Sequence, residues 1–199
     1  MTRSTSGSIF RIGLGLTVKI CLGFAPANKS LQNLAVILNS LRKLSNRANK
    51  VTGLVLLGQC GRADRAAAHA DQHIQIRPGT DAALALAMMH VIVRDNLHDK
   101  EFIEAHTLGF DQLAERVKEY PPERAATITG IDADVIEKLA HAYATTRPAA
   151  IRFLVGMERY SNGHVAVRAV SCLPGLIGGW RERGGGLSHF MLNIFFQSV

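Results

Sequence analysis

The chain has 199 residues, enough for one domain with a substantial core, and 47% of them are hydrophobic. The net charge of +7 is unevenly distributed: residues 1–63 carry nine basic residues and no acidic one, whereas the remainder carries 14 basic and 16 acidic residues. The high isoelectric point therefore belongs to the first third of the chain, and the rest shows no clear signal for nucleic-acid binding.

The acid-free segment, residues 1–63, fits three interpretations. It could bind nucleic acid or an anionic membrane through nonspecific charge. It could be a transit-like leader, which is rich in Arg and Ser and poor in acids. It could also be sequence foreign to this fold, such as the product of a shifted reading frame. Residues 1–27 are predicted to be a loop or leader, and the segment as a whole is assigned to no domain.

The cysteine pattern bears on metal sites and on location. Cys21, Cys60 and Cys172 are far apart and form no CxxC pair, so neither a zinc site nor an iron–sulfur site is indicated. An odd count of cysteines without a clear signal peptide favours reduced thiols in the cytoplasm. The apolar stretch Ile12–Ala25 contains Lys19 and is too short to span a bilayer, so no membrane span is expected.

The first predicted elements alternate between helix and strand. Leucine and isoleucine spacing predicts an amphipathic helix over Leu31–Leu44. The apolar run Val51–Gly58 is typical of a buried strand, and His73–Arg77 alternates like a second strand. Asp81–Arg94 is apolar nearly all round, which predicts a helix buried on most of its faces.

Several shorter helices are predicted next. Asp99 is a candidate N-cap of a short helix, and residues 109–120 form an amphipathic pattern that stops at Pro121–Pro122. Pro122 stands at an allowed first helical position of another short helix. Asp132–Thr146 is the best-marked helix of the chain, with Asp132 as its expected cap.

The last third continues the alternation. Ala149–Gly156 is predicted to be a strand, residues 157–163 a polar loop, and Val165–Leu176 an apolar helix that contains a proline near its end. Residues 178–187 are predicted to be a glycine-rich loop, and the tail that follows is short and apolar. Strands separated by helices indicate an α/β fold with a mainly parallel sheet.

Two loops stand where such sheets bind ligands, which is at the carboxyl ends of strands. In the first, Pro78 and Gly79 favour a tight turn, and Thr80 or Asp81 can cap the following helix. The helix N-terminus then suits a phosphate, Arg77 can add a forked charge contact, and Asp81 can accept hydrogen bonds from a base such as guanine. The alternative is a plain strand, turn and capped helix.

The second loop begins at Gly156, where a glycine after a strand allows the backbone to approach a ligand closely. Met157, Glu158 and Arg159 follow, and the pattern is not the GxGxxG dinucleotide fingerprint. The alternative is that Glu158 and Arg159 form a solvated pair. A third glycine-rich run, Gly184–Gly186, could wrap an anionic cofactor or be a simple loop.

Catalytic and metal-binding signals are weak. His69 and His73 are four residues apart, as helical metal ligands can be, but the segment is not convincingly helical and no HExxH pattern is present. No Ser/His/Asp or Cys/His grouping follows from spacing. We therefore assign no catalytic residue and no metal ligand.

Two long stretches stand out: ADQHIQIRPGTDAALALAMMHVIVRDNLHDKEFIEAHTLGFDQL and YPPERAATITGIDADVIEKLAHAYATTRPAAIRFLVGMERYSNGHVAVRAVSCLPGLIGGWRERGGGL. Both resemble molybdopterin-dependent oxidoreductases. The class is that of dimethyl sulfoxide reductase, formate dehydrogenase catalytic subunits and assimilatory nitrate reductases. The resemblance covers roughly residues 66–188. Its specificity comes from the order of its parts, which runs from the Arg-Pro-Gly-Thr-Asp turn to the closing Arg-Gly-Gly-Gly.

The resemblance implies a cofactor and positions for it. The expected cofactor is molybdenum bound by two molybdopterin guanine dinucleotides. Gly79, Thr80 and Asp81 match a turn that contacts a guanosine arm. A loop near the pterin is matched by residues 156–159, which are Gly156, Met157, Glu158 and Arg159.

The chain also departs from the family pattern. Family members are several times longer, and the upstream iron–sulfur region, the molybdenum-ligating residue and a downstream domain have no counterpart here. We therefore expect a fragment: an unplaced segment 1–63, an α/β region 64–188 of the formate dehydrogenase and dimethyl sulfoxide reductase type, and a divergent tail 189–199. It would supply part of a cofactor-binding domain, would be inactive alone, and would have the remaining parts of the enzyme as partners. The alternative is a nonenzymatic module that binds a nucleotide or a partner.

Overall fold

A five-stranded parallel sheet is the centre of the fold, in a computed structural model that describes residues 18–23, 54–58, 70–154 and 156–190. The strand order is β3-β2-β1-β4-β5. The strands are β1 (Val18–Gly23), β2 (Leu54–Gly58), β3 (Gln72–Gln75), β4 (Ala149–Leu154) and β5 (Gly186–Phe190). The predicted α/β fold with a parallel sheet is confirmed.

Two strands correct the predictions for the ends of the chain. Val18–Gly23 is the middle strand, paired with β2 and β4, although residues 1–27 were predicted to be a loop or leader. Gly186–Phe190 is a strand paired with β4, although a glycine-rich loop and a divergent tail were predicted there. The reason is that ladder hydrogen bonds join backbone groups, so a lysine or glycine in the run does not prevent pairing.

The sheet therefore extends beyond the region 64–188. β1 and β2 come from the segment that sequence analysis left unplaced, and β5 crosses residue 188. The predicted strands near residues 51–58, 73–77 and 149–156 are confirmed within a few residues of their ends. The predicted helix Leu31–Leu44 lies outside the described residues.

Six α-helices are present in the described ranges. They are α1 (Asp81–Arg94), α2 (Lys100–His106), α3 (Phe110–Val117), α4 (Pro122–Thr129), α5 (Ala133–Thr145) and α6 (Gly163–Leu176). All six were predicted. The Asp99 carboxylate accepts a hydrogen bond from the Phe102 amide at 2.9 Å, as expected of a cap, whereas the Asp132 side chain makes no capping bond. Over these same ranges, no helix combines the length and apolar character needed to cross a bilayer.

The core is organised around α1. Its residues are buried on most faces, as the apolar sequence predicted, and it packs against α3, α4, α5 and α6. From the sheet, Ile74, Ile151 and Phe153 join the same cluster. Because α1 follows β3 and α6 follows β4, their contact fixes the positions of the two loops that lead into these helices.

We expect Tyr143→Phe to stabilise the protein. Tyr143 is fully buried in α5, and its hydroxyl has no hydrogen-bond partner within the described part of the chain. Burial raises the pKa of this phenol, so the hydroxyl stays neutral and still lacks a partner. Its removal should raise the free energy of unfolding by about 1 kcal/mol, measured by urea denaturation.

Tyr143→Ala is the contrasting variant, because it removes the ring as well as the hydroxyl. It should lower the free energy of unfolding by about 3–5 kcal/mol. A Tyr143→Phe protein less stable than the parent would mean that the hydroxyl is bonded in solution.

Candidate functional site

The carboxyl edge of the sheet holds both predicted ligand loops. The strand order reverses direction between β1 and β4, and α/β sheets bind ligands at such a switch point. The second loop follows β4 at this point, whereas the first loop follows the edge strand β3. The first loop joins β3 to α1, and the second joins β4 to α6. Both loops therefore lead from the carboxyl end of a parallel strand to the N-terminus of a helix.

In the first loop, a left-handed glycine makes the turn. Gly79 has a φ of +75°, a conformation that L side chains rarely adopt. The Thr80 hydroxyl donates to the carbonyl of Arg77 at 2.7 Å, so it closes the turn. Thr80 occupies the N-cap position of α1, but its side chain makes no capping bond, so of the two candidate caps, Thr80 and Asp81, Thr80 does not cap the helix through its side chain.

Arg77 anchors this loop to α4. Its Nη1 donates to the carbonyl of Thr127 at 2.7 Å, and its backbone amide donates to the carbonyl of Thr129 at 2.9 Å. A guanidinium at the C-terminus of a helix meets the negative end of the helix dipole. In this structure the charge of Arg77 thus stabilises the end of α4, a contact that the sequence pattern did not predict.

Asp81 is the first residue of α1 and is only 3% exposed. A buried carboxylate is uncommon, because leaving water costs a charged group several kcal/mol unless it is compensated. Its place in the first turn supplies one compensation, since the positive end of the helix dipole and the N–H groups there favour negative charge. Two of the eight predicted site residues are acidic: Asp81 is buried, whereas Glu158 is exposed.

The second loop contains one turn of 3₁₀ helix, Met157–Arg159. Met157 is buried, whereas Glu158 and Arg159 are exposed. Glu158 Oε1 lies 2.9 Å from His189 Nε2 on β5, a distance typical of ion pairs, although the two groups are not aligned for a hydrogen bond. Glu158 is thus directed toward β5 and is not paired with Arg159.

The two loops contact each other directly. Asn162 Nδ2 donates to the carbonyl of Gly79 at 2.8 Å. A Cβ placed on Gly79 would lie 3.4 Å from the ring of Tyr160, so the aromatic ring covers the glycine. The two predicted loops therefore form one surface, and the N-termini of α1 and α6 lie side by side.

Tyr160 and Asn162 were not singled out by the sequence. Both fall inside the predicted polar loop, but neither belongs to a spacing pattern that would distinguish it. The available signal was the pair of turn-forming residues before Gly163, which is weak.

Gly163 keeps the second loop close to α6. A Cβ at this position would lie 2.6 Å from the carbonyl oxygen of Met157 and 2.8 Å from the Cα of Glu158. Real Cβ atoms do not approach backbone this closely, so only glycine fits without movement. The second loop thus depends on glycine at the first residue of α6.

The described residues form no group of three or more His, Cys, Asp or Glu side chains that could hold a metal ion. Of the histidine pair considered in the sequence, His73 is described and His69 is not.

Comparison with known proteins identifies relatives. A family model described as molybdopterin oxidoreductase matches residues 31–197. A probable oxidoreductase, YoaE, of Bacillus subtilis is 45% identical over 117 residues, which cover 59% of this chain and 17% of that protein. The F420-dependent formate dehydrogenase subunit alpha of Methanocaldococcus jannaschii is 38% identical over 122 residues, which cover 61% of this chain and 18% of that protein.

A solved structure is also similar. Acetylene hydratase from Pelobacter acetylenicus aligns with a TM-score of 0.68 and 40% sequence identity, covering 80% of this chain and 21% of that one. This chain therefore spans about a fifth of the length of these relatives. The family match extends beyond both ends of the stretch 66–188 in which the resemblance was seen.

Gly163→Ala should destabilise the protein and displace the second loop. The added methyl group meets backbone atoms of Met157 and Glu158 that cannot rotate away, so the free energy of unfolding should fall by about 1–3 kcal/mol. Gly175→Ala is the matched control on α6, because a Cβ there meets nothing within 4 Å. It should leave stability unchanged or raise it by up to about 1 kcal/mol. Equal effects in thermal denaturation would contradict the close contact.

Asn162→Ala should loosen the contact between the two loops. Loss of the bond to the Gly79 carbonyl should cost about 1 kcal/mol of stability. Hydrogen–deuterium exchange should become faster in residues 77–81 and stay unchanged in α5. Ser161→Ala alters the exposed neighbour, and its exchange pattern should match that of the parent protein. Unchanged exchange in Asn162→Ala would show that the bond does not hold the loops together.

Proposed function

This chain belongs to the molybdopterin oxidoreductase family, and we propose that its two contacting loops bind the guanosine arm and the pterin of a molybdopterin guanine dinucleotide. Molybdopterin itself is the cofactor that the family implies. The observation that carries the proposal is the bond from Asn162 to the Gly79 carbonyl, which brings two helix N-termini together at the carboxyl edge of the sheet.

The first loop has features suited to a guanosine phosphate. At the start of α1 the Ala83 and Leu84 amides donate to the Thr80 carbonyl, and the N–H groups before them lie at the end of the helix, where they suit a phosphate oxygen. Gly79 adopts a left-handed conformation, which lets backbone approach a ligand without a side chain in between. We propose that these backbone groups, with Thr80, hold the phosphate end of the arm.

Asp81 would select the base. A carboxylate accepts two hydrogen bonds, and guanine offers two adjacent donors on one edge, whereas adenine offers a single amino group there. The side chain is 3% exposed, so its bonds to a base would form largely out of water, where they discriminate most. We propose that Asp81 provides the preference for guanine.

Residues 156–159 would face the pterin. Gly156 and Met157 provide close backbone and an apolar surface, while Glu158 and Arg159 are exposed and charged. Arg77 would contribute indirectly, because its contacts with α4 hold the first loop in place. When bound, the molybdenum cofactor supplies the redox chemistry, and the residues described here bind and orient it.

This chain spans about a fifth of the length of its relatives, so it does not by itself specify the reaction of a complete enzyme. The relatives carry names as different as a formate dehydrogenase and an acetylene hydratase. We propose that the region 64–188, with the strands before it, contributes the cofactor surface to such an enzyme and has its remaining parts as partners.

We further propose a cytoplasmic location, because Cys172 is a free thiol and the cysteines form no CxxC pair.

We expect the chain to bind GDP more tightly than ADP, and Asp81→Asn to remove the difference. Loss of a hydrogen bond to a charged group should weaken GDP binding about 10- to 100-fold and leave ADP binding unchanged. Isothermal titration calorimetry measures both affinities, and circular dichroism checks that the variant is folded.

Asp111→Asn is the matched control, because Asp111 is also acidic and also stands in the first turn of a helix, but it is exposed on α3. This variant should keep the preference for GDP. Equal affinity of the parent chain for GDP and ADP would refute base selection by Asp81.

A further inference from the structure

A groove of about 420 Å³ lies between α1, α3 and α6. Its volume is within the range of small-molecule sites in proteins. It touches the cofactor surface only at Gly79, Thr80 and Asn162, and none of its lining residues belongs to a strand. The groove therefore lies on the helical side of the molecule, apart from the residues proposed to bind guanine and pterin.

The floor of the groove is apolar. Leu86 and Met89 come from α1, Leu113 comes from α3, and Ala169 comes from α6. Met89 is fully buried, whereas Leu86 and Leu113 remain partly exposed although they pack against the core. A hydrocarbon chain in this groove would cover apolar surface that is otherwise partly exposed to water, which is favourable by about 25 cal/mol per Å².

The charges of the groove are all positive. Arg116 comes from the α3 side and Arg168 from the α6 side, and no Asp or Glu is among the lining residues. Arg116 pairs with Glu119, its Nη1 lying 2.9 Å from each carboxylate oxygen. Arg168 is exposed and makes no hydrogen bond or ion pair with any residue that the structure describes. Its guanidinium is therefore available to an anionic ligand.

We infer that the groove binds a small amphipathic anion, a medium-chain carboxylate. The hydrocarbon part would lie against Leu86 and Leu113, which are partly exposed. The carboxylate would be held by Arg168, because Arg116 on the opposite wall is already paired with Glu119. This inference rests on Arg168 and on apolar residues that the proposed cofactor site does not use, while Gly79, Thr80 and Asn162 line the edge of both sites.

Cys172 provides a local readout. The thiol lines the groove one helical turn after Arg168 and is half-buried. Burial raises the pKa of this thiol, against a smaller opposing effect of Arg168, so alkylation is carried out at mildly alkaline pH. A ligand in the groove should slow alkylation at Cys172. Peptide mass spectrometry separates it from Cys21 and Cys60, which serve as internal controls.

The experiment titrates the full chain with octanoate, octanol or octylamine and measures iodoacetamide labelling at each cysteine. Octanoate should protect Cys172 at concentrations about tenfold lower than octanol, because a charge-assisted hydrogen bond contributes about that factor. Octylamine should protect least, since it brings a like charge to the arginines. Asp81→Asn should leave the protection by octanoate unchanged, because Asp81 does not line the groove, and this keeps the test separate from the cofactor proposal.

Variants test the role of the charge. Arg168→Ala should remove the advantage of octanoate over octanol, and Arg168→Glu should reverse it in favour of octylamine. Lys138→Ala removes one positive charge from an exposed position on α5 and should leave the preference for octanoate unchanged. Circular dichroism confirms that each protein is folded.

Two results would overturn the inference. Absence of protection by octanoate would show that the groove holds no such ligand. Equal protection by octanoate and octanol in the parent chain, or equal slowing at all three cysteines, would show that no anion-selective site exists there.

Discussion

The contact between α1 and α6 is the constraint on which the rest of the structure depends. α1 is apolar on nearly every face, so it can be stable only when other elements surround it. The sheet strands before α1 and α6 are β3 and β4, which have two strands between them and thus lie about 14 Å apart. Packed helices lie about 8–10 Å apart, so pairing α1 with α6 draws the two loops toward each other above the sheet.

The surface at the carboxyl edge follows from that contact. Once the helix N-termini are adjacent, Asn162 can reach the carbonyl of Gly79, and the ring of Tyr160 can cover the same glycine. Gly163 permits the second loop to fold back onto the start of α6. A side chain at Gly79 would meet the ring of Tyr160 on the second loop, and one at Gly163 would meet the backbone of Met157 and Glu158. Backbone shape thus decides the form of this surface more than the charged side chains do.

The charged side chains near the two loops do not make the contacts that their positions in the sequence suggest. Arg77 follows a strand and precedes a helix N-terminus, where a phosphate contact is a natural expectation, yet its guanidinium binds carbonyls at the end of α4. Glu158 is oriented toward His189 on β5 and away from its chain neighbour Arg159. Arg168, which belongs to no motif, is the arginine of the groove whose guanidinium remains available. The partners of Arg77 and Glu158 come from distant sequence, so no local pattern indicates them.

By itself, the sequence determined the helices, the α/β class, the family and the positions of both loops. Apolar periodicity, Asp99 as a cap, and Pro122 at a helix start act within one or two turns of chain, so they can be read locally. Only the tertiary structure decided that Val18–Gly23 is the central strand, that Gly186–Phe190 is an edge strand beside β4, and that the two loops meet. Strand pairing and loop contact depend on partners far away in the chain, so no local sequence pattern indicates them. The burial of Asp81 has the same origin, since the sequence shows a carboxylate at a helix start but not what covers it.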